Sequence, residues 1–453
     1  MTDQKLRLEH KIDELGWGRY QKSVFINCCC GIGLTMSWPI VVSIILLELT
    51  EIPVYLNSLI GSMLCIGNLI GCIWFSKMGD TLGRAYAFRR MIVLTSIGAL
   101  LLIFSPNFYY MLPSIVILGV GLGGEIAITF TVLLENLPTF KRNLLPLVAV
   151  MFGIGAIFSA ACGLLLRFTG TGGFGMWRSV ALINFTLSLV FSYMRMSVLE
   201  SPVFLYEKKR IEDLIVVLQQ IAQLNKKQDL VVDNLFEERE NPEKEIPKAD
   251  FKQLFNQHNA KTTLALSVTQ FLSTFIFFGV LLFMPVFIKT PNMEVSFLLM
   301  IGMQICGILG TFLGTKLMNT CLGRKWTHVI FNLLVAGILF GFFIYDSVSY
   351  QIACACTFYF VNMINVTVIT ALVPESFAPE IRGVGSGWVM AISRVAGATS
   401  PIVVGMVYEM FGIFLSVSFL GVLLLFITIS SVFLKETRTI MKPPEIEELK
   451  NMV

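Results

Sequence analysis

Long apolar runs alternate with short charged segments along the whole chain. Each run is long enough, or nearly so, to cross the roughly 30 Å hydrocarbon core of a bilayer as an α-helix. The third and ninth runs are short, and we expect flanking Arg89, Arg90 and Lys325 to complete them by reaching the interface. The pattern predicts twelve membrane-spanning helices, at residues 25–47, 56–75, 91–105, 110–134, 144–166, 177–196, 262–288, 295–317, 329–345, 350–373, 384–408 and 411–434.

The polar segments between these runs repeat once along the chain. Three positions carry the repeat, and they are Gly83, Arg84 and Glu135 in the first half and Gly323, Arg324 and Glu375 in the second. The glycine precedes the glutamate by 52 residues in both halves (135 − 83 and 375 − 323). The duplication predicts an all-α membrane protein of two six-helix bundles, with a substrate site where the bundles meet. The divisions are a tail at 1–22, a bundle at 23–200, a linker with an amphipathic helix at 201–260, a bundle at 261–435 and a tail at 436–453.

Composition agrees with a multi-pass membrane protein. The 453 residues are 55% hydrophobic and 14% charged, and their mean hydropathy is +0.75. Ten cysteines lie in or beside the apolar runs without a CxxC pair, so we interpret them as small buried hydrophobic residues. No nucleotide-binding motif or catalytic set is present, which indicates a secondary transporter and neither a pump nor an enzyme. We expect no metal, cofactor or nucleic acid.

The basic residues predict the orientation. If both termini are cytoplasmic, the loops on the opposite side contain only Arg167, Arg178 and Lys289. Nearly all other lysines and arginines then lie on the cytoplasmic side, as the positive-inside rule requires.

Arg394 is the main candidate for substrate binding. It lies about ten residues inside the eleventh run, roughly 15 Å from its start, near the bilayer midplane. An arginine there costs about 2.5–3.5 kcal/mol on insertion scales, so an intramembrane arginine indicates a functional site. We expect it to bind an anionic substrate. The alternative is a structural pair with Glu125, itself about ten residues inside its helix and a candidate for substrate contact and for a coupling proton.

Other polar residues within the runs are candidates for orienting a substrate. For each one alone, a hydrogen bond between helices is the stronger alternative. They are Gln270, Asn362, Asn365, Tyr359 and Trp38, with Asn27 and Gln304 beside them.

Charged and glycine residues at one membrane face form a predicted conformational gate. The expected pairs are Asp80 with Arg84, Glu135 with Arg142, and Glu375 with Arg382. Exposed pairs contribute only about 0–1 kcal/mol each, so they can break in every transport cycle. The alternative is ordinary interfacial anchoring. The full set is Asp80, Gly83, Arg84, Glu135, Arg142, Glu200, Arg324, Glu375, Arg382 and Glu436.

Several segments resemble the major facilitator superfamily. They are SKMGDTLGRAYAFRR (76–90), VLESPVFL (198–205), PESFAPEIRGVGSG (374–387) and LKETR (434–438). The last three of these are similar to signatures of its sugar-porter and organic-ion-transporter relatives. Within that group, the segments most similar to the synaptic-vesicle-related and organic-anion-transporter branches are LGWGRYQ (15–21), ILGVGLGGE (117–125), STFIFFGVLL (273–282) and SRVAGATSP (393–401). The resemblance implies twelve helices, alternating access and an anion-holding role for Arg394.

The chain departs from that family at informative positions. Ser76, Lys316 and Thr320 replace usual residues of the repeated loop, and residues 114–118 lack the arginine that many proton-coupled members carry. Gln270 matches the sugar-binding stretch, but Thr274 and Ile276 replace its glycine and asparagine.

We therefore expect a facilitative or secondary active carrier of small organic anions in a lipid bilayer, with symport of a proton as one possibility. The alternatives are a sugar or polyol carrier and a transporter-like sensor or structural subunit. The protein is expected to be a monomer or part of a membrane assembly.

Overall fold

The computed structural model is helical, without β-strands in its described part. It describes residues 3–49, 51–170, 175–227, 251–257, 259–288, 290, 292–318, 320, 322–378, 381–434 and 436–437. The predicted linker loop at 228–250 and the tail after residue 437 lie outside these residues. The helices are α1 (Asp3–Leu15), α2 (Arg19–Glu48), α3 (Val54–Asn57), α4 (Leu59–Leu82), α5 (Arg84–Ile103), α6 (Phe108–Asn136), α7 (Leu145–Thr169), α8 (Met176–Arg195), α9 (Pro202–Glu207), α10 (Ile211–Leu224), α11 (Ala260–Phe287), α12 (Met293–Leu317), α13 (Gly323–Gly341), α14 (Val348–Glu375) and α15 (Arg382–Val432).

The prediction of twelve spans in two bundles is confirmed. Helices α2 and α4 to α8 form the first six spans, and α11 to α14 form the next four. The last two are the two arms of α15, which meet at Gly412, where φ is 76°. Within the described residues, length and hydropathy alone identify nine candidate spans. That smaller number arises because α15 counts once and the shorter α8 and α13 do not qualify.

Glycines bring α4 and α6 into backbone contact within the first bundle. A methyl group added at Gly71 would lie 2.0 Å from the carbonyl oxygen of Val120, and one at Gly123 would lie 2.1 Å from that of Asn68. Small residues allow this approach in a bilayer, where dispersion contacts and not the hydrophobic effect join helices. The glycine-rich segment of α6 is therefore a packing face.

The two bundles meet along α4 with the first arm of α15, and along α7 with α12. A methyl group at Gly61 of α4 would lie 3.3 Å from Pro401 of α15, and one at Gly163 of α7 would lie 2.4 Å from Phe297 of α12. These positions lie toward the membrane face opposite the N-terminus. We call it the far face, and the face that carries α1 the terminal face.

Polar contacts also join the bundles at the far face. They connect Arg167 Nε to Glu294 Oε1 (2.9 Å), the Tyr55 backbone N–H to Glu409 Oε2 (3.3 Å), and Ser43 Oγ to the carbonyl of Leu281 (3.5 Å). Since Pro285 has no N–H to bond that carbonyl, Ser43 has an acceptor available. These contacts thus hold the two bundles together on the far side.

Helices α1 and α10 lie against the first bundle at the terminal face. The amphipathic α10 buries Leu214, Leu218 and Ile221 there. Asn225 joins both helices, because its Nδ2 donates to the carbonyl of Leu15 (3.2 Å) and its Oδ1 accepts from the backbone N–H of Tyr20 (3.0 Å). These helices extend the first bundle toward the cytoplasm of the predicted topology.

Candidate substrate-binding site

Arg394 lies at the contact between the two bundles, about halfway along the first arm of α15. Its guanidinium lies near the thiols of Cys72 and Cys65 of α4, and the Cys72 thiol donates to the carbonyl of Gly123 at 3.1 Å. One turn later, a methyl group at Gly397 would lie 3.5 Å from Cys65 Sγ and 3.2 Å from the ring of Phe278. The side chain of Arg394 is half-buried. It forms no ion pair with a carboxylate among the described residues.

Glu125 pairs with Arg195 of α8 and not with Arg394. Arg195 Nη2 donates to Glu125 Oε1 at 2.6 Å, and Nη1 donates to Oε2 at 2.8 Å. Thr129 adds a third hydrogen bond at 2.8 Å, and the Arg195 guanidinium lies 3.9 Å from the ring centroid of Phe88. The hypothesis of a structural pair between Arg394 and Glu125 is therefore wrong. Glu125 forms that pair within the first bundle.

The pair is almost fully enclosed. Glu125 is 4% exposed and Arg195 is 0% exposed. A methyl group at Gly31 of α2 would lie 1.8 Å from Glu125 Oε1 and 2.0 Å from Arg195 Nη2. Only a glycine in α2 leaves room for the two charged groups. Sequence reasoning missed Arg195, because an arginine in the last turn of a span has the same pattern as one that reaches for the interface.

Tyr359 and its neighbours form a polar and aromatic cluster in the second bundle. Gln304 Nε2 donates to the Tyr359 hydroxyl at 3.1 Å, and the ring of Phe277 lies 5.9 Å from that of Tyr359. Gly307 lies beneath the ring, where a methyl group would be 2.8 Å away. This cluster fixes the orientation of Tyr359, which is 2% exposed.

Asn365 is directed toward α13. Its side-chain amide lies 3.2 Å from that of Asn332, and both asparagines are buried. Asn365 thus forms a hydrogen bond between helices, which was the alternative to substrate contact.

Besides Asn27, whose Oδ1 is also unpaired, three of the residues predicted to orient a substrate carry a buried polar atom without a hydrogen-bond partner among the described residues. They are Trp38 (Nε1), Gln270 (Oε1) and Asn362 (Nδ2). Leaving a buried polar atom unpaired costs about 1–3 kcal/mol, so these two donors and one acceptor stay candidates for contact with a polar ligand. Trp38 belongs to α2, Gln270 to α11 and Asn362 to α14, so these unpaired atoms come from both bundles.

The repeated charges form one cluster in each bundle at the terminal face. In the first, Arg84 pairs with Asp80 and with Glu135, whose Oε1 is 3.3 Å from Arg84 Nε. Glu200 Oε1 accepts the backbone N–H of Ala85 at 3.0 Å. A methyl group at Gly83 would lie 2.3 Å from Glu200 Oε2, and φ of Gly83 is 121°. Both the close contact and the positive φ therefore require glycine at this position.

The second cluster has the same design. Arg324 Nη1 lies 2.5 Å from Glu375 Oε2, and Thr437 Oγ1 donates to that same oxygen at 2.8 Å. Glu436 accepts hydrogen bonds from the backbone N–H groups of Arg324 (2.9 Å) and Lys325 (3.0 Å). The helix dipole stabilises an acidic side chain at this N-terminus of α13. The duplicated sequence thus produces a duplicated structure.

Two expected pairings in these loops are wrong. Arg142 pairs with Glu9 of α1 at 3.1 Å and not with Glu135, whose carboxylate is held by Arg84. Arg382 is exposed at the start of α15, and Glu375 pairs with Arg324 in its place. Each cluster connects helices of one bundle, and its function as a gate stays a prediction.

Two bundles of six membrane-spanning helices that pack against each other are the architecture of a multi-pass membrane transporter. Residues 48–442 match the family model described as "Sugar (and other) transporter". The chain belongs to this family within the major facilitator superfamily, and it is a transporter of small molecules.

Named relatives cover most of the chain. It is 26% identical over 345 residues to the niacin transporter NiaP of Acinetobacter baylyi, with 75% of each chain covered. It is 24% identical over 406 residues to the benzoate transport protein of the same organism, covering 86% of this chain and 84% of that one. The structure superposes on the xylose transporter XylE from E. coli with a TM-score of 0.69 at 17% identity, covering 96% of this chain and 100% of that one.

Proposed function

We propose that the protein carries small organic anions, most favourably aromatic monocarboxylates, by alternating access. Arg394 carries this proposal, since it places a positive charge between the bundles without a carboxylate partner among the described residues. A buried charge is stabilised when it is paired, and the substrate carboxylate supplies the missing partner.

The names of the relatives support the choice of substrate class. Niacin and benzoate, for which two relatives are named, are both aromatic carboxylic acids. A ring beside the carboxylate matches the aromatic surroundings, because Phe277 and Phe278 line the second bundle in edge-to-face contact with centroids 5.5 Å apart. Phe278 also packs against the glycine that follows Arg394 by one turn.

We propose the following cycle for the carboxylate. In the empty carrier the guanidinium of Arg394 lies near the Cys72 thiol, which donates to the carbonyl of Gly123 and is a weak partner for a charge. An arriving carboxylate gives Arg394 a charge-assisted, bidentate partner, and Trp38, Gln270 and Asn362 are the candidates for contact with other polar atoms of the substrate. The contacts across the far face then break and the charge clusters rearrange, so that the site becomes accessible from the other side.

The direction of opening follows from the predicted topology. With cytoplasmic termini, the far face is extracytoplasmic, and the contacts across it support an inward-facing state as part of this proposal. A coupling proton at Glu125 would have to disrupt a bidentate pair and leave the Arg195 charge buried, which costs several kcal/mol. We therefore propose that anion binding at Arg394 drives the cycle, with Glu125 as a structural residue.

A neutral sugar or polyol is the second candidate. Gln270 Oε1 and Asn362 Nδ2 are buried and have no partner among the described residues, and hydroxyl groups of a polyol would satisfy an acceptor and a donor equally well. The description of the matching family includes sugars.

Uptake by the purified protein in proteoliposomes separates these candidates. Radiolabelled nicotinate, benzoate and xylose are offered to the same vesicles, with nicotinamide as the neutral analogue of nicotinate. We expect saturable uptake of the two acids and little uptake of nicotinamide or xylose. Preferential uptake of xylose would favour the second candidate, and no uptake of any compound would support a sensor or structural subunit.

A further inference from the structure

A cavity of about 260 Å³ lies at the far face, between the two bundles and away from Arg394. The first bundle contributes the end of α2 with Leu46 and Leu47, and α3 with Asn57. The second bundle contributes Val286 near the end of α11 and Tyr408 in the first arm of α15. Its volume is slightly below the roughly 300–1,000 Å³ of ordinary small-molecule sites, which suits a single ring with a short substituent.

The lining defines the chemistry of an occupant. Most of it is aliphatic, and none of the lining side chains is ionised at neutral pH. The neighbouring carboxylate of Glu409 already accepts the backbone N–H of Tyr55 at 3.3 Å, and its negative charge disfavours an anion. A carboxylate substrate therefore does not match this cavity, whereas a neutral ring does.

Asn57 provides the polar contact. It is 2% exposed, and its Nδ2 donates to the carbonyl of Leu49 at 3.3 Å. Its Oδ1 is buried without a partner among the described residues. An unpaired buried acceptor requires a donor, and a ligand in the adjoining cavity can supply one. The half-buried Tyr408, whose ring lies 5.8 Å from that of Phe287, provides an aromatic wall.

We propose that this cavity is a second ligand site for a small neutral molecule with one ring and one hydrogen-bond donor, and that its occupant holds the far face closed. Both bundles line the cavity, so the site is complete only while the far face is sealed. A ligand that binds one of two conformations shifts the equilibrium toward it. The occupant is therefore an inhibitor that excess transported substrate does not displace.

Benzyl alcohol and benzyl methyl ether test the proposal, because they have nearly the same size and only the alcohol has a donor. Binding to the purified full-length protein is measured by the ligand-dependent shift of the thermal unfolding temperature, which does not depend on transport. We expect the alcohol to bind about fivefold more tightly than the ether, as one net hydrogen bond predicts. Equal affinity for both compounds, or no binding of either, would overturn the proposal.

Matched variants locate the site. Val286→Phe fills the cavity, and Val422→Phe makes the same chemical change at an exposed position in the second arm of α15. We expect benzyl alcohol to bind V286F at least tenfold more weakly and to bind V422F as it binds the wild type. Leu47→Phe fills the cavity from the other bundle and serves if V286F does not fold. Unchanged binding to the filled variant would place the ligand elsewhere and contradict the assignment.

Discussion

Both carboxylate oxygens of Glu125 accept hydrogen bonds from Arg195, at 2.6 and 2.8 Å, inside the first bundle. This pair occupies the acid that could otherwise have neutralised Arg394. The one intramembrane arginine predicted to bind substrate therefore remains without an acidic partner among the described residues, while a second arginine, Arg195, has Glu125 as its partner through both Nη1 and Nη2.

Breaking the buried pair will destabilise the protein. Arg195→Ala leaves the Glu125 carboxylate buried without its charged partner, and Glu125→Ala leaves the guanidinium unpaired, so each should lower stability by about 3–5 kcal/mol. Thermal unfolding of the purified protein measures this. The control is Arg210→Ala, which removes an exposed pair with Asp213 and should leave the unfolding temperature nearly unchanged. Equal stability of R195A and R210A would show that the buried pair does not hold the bundle.

Gly31 is required by that pair. Gly31→Ala places a methyl group 1.8 Å from Glu125 Oε1, which must displace the carboxylate and should destabilise the first bundle by about 3 kcal/mol or more. Gly337→Ala in α13 is the matched control, because a methyl group there meets no atom within 4 Å. It should be neutral or slightly stabilising, since alanine favours a helix more than glycine does. A similar unfolding temperature for both variants would contradict this packing.

Much of the fold follows from the sequence. The apolar runs predict the spans because lipid leaves a helix few alternatives, and the repeat of Gly83 and Gly323 predicts the paired clusters because each glycine contacts an acid, Glu200 or Glu436. The partners of the intramembrane charges could not be predicted in the same way. Which face of α6 carries Glu125 inward depends on the packing of three helices, and Arg195 lies where an interfacial arginine is expected.

The charge clusters are predicted to control turnover. Arg324→Ala releases Glu375, and Arg84→Ala releases Glu135 and Asp80. Loss of about 1 kcal/mol from either cluster should reduce the maximal uptake rate about three- to tenfold, with little change in the affinity for substrate. Initial rates at several substrate concentrations separate the two effects. If both variants keep the wild-type maximal rate, the clusters are interfacial anchors and not a gate.

The pair Arg167–Glu294 is predicted to favour closure of the far face, since it connects α7 of one bundle with α12 of the other at 2.9 Å. Arg167→Ala should increase the fraction of molecules open on that side. A cysteine introduced at Gly163, where α7 meets Phe297 of α12 toward the far face, reports this through its reaction with a membrane-impermeant thiol reagent added outside. Faster labelling in the R167A background is expected. An unchanged labelling rate would show that other contacts determine the seal.

The most direct test of the central claim is the initial rate of nicotinate and benzoate uptake by proteoliposomes that contain Arg394→Ala, Arg394→Lys or the wild type. Because the alanine variant lacks a charge-assisted contact, we expect its kcat/KM to fall roughly ten- to a hundredfold. The lysine variant should recover part of that loss. The unfolding temperature of the alanine variant should stay near that of the wild type. Uptake of both acids by folded R394A at the wild-type rate would contradict the proposal that Arg394 binds the transported anion.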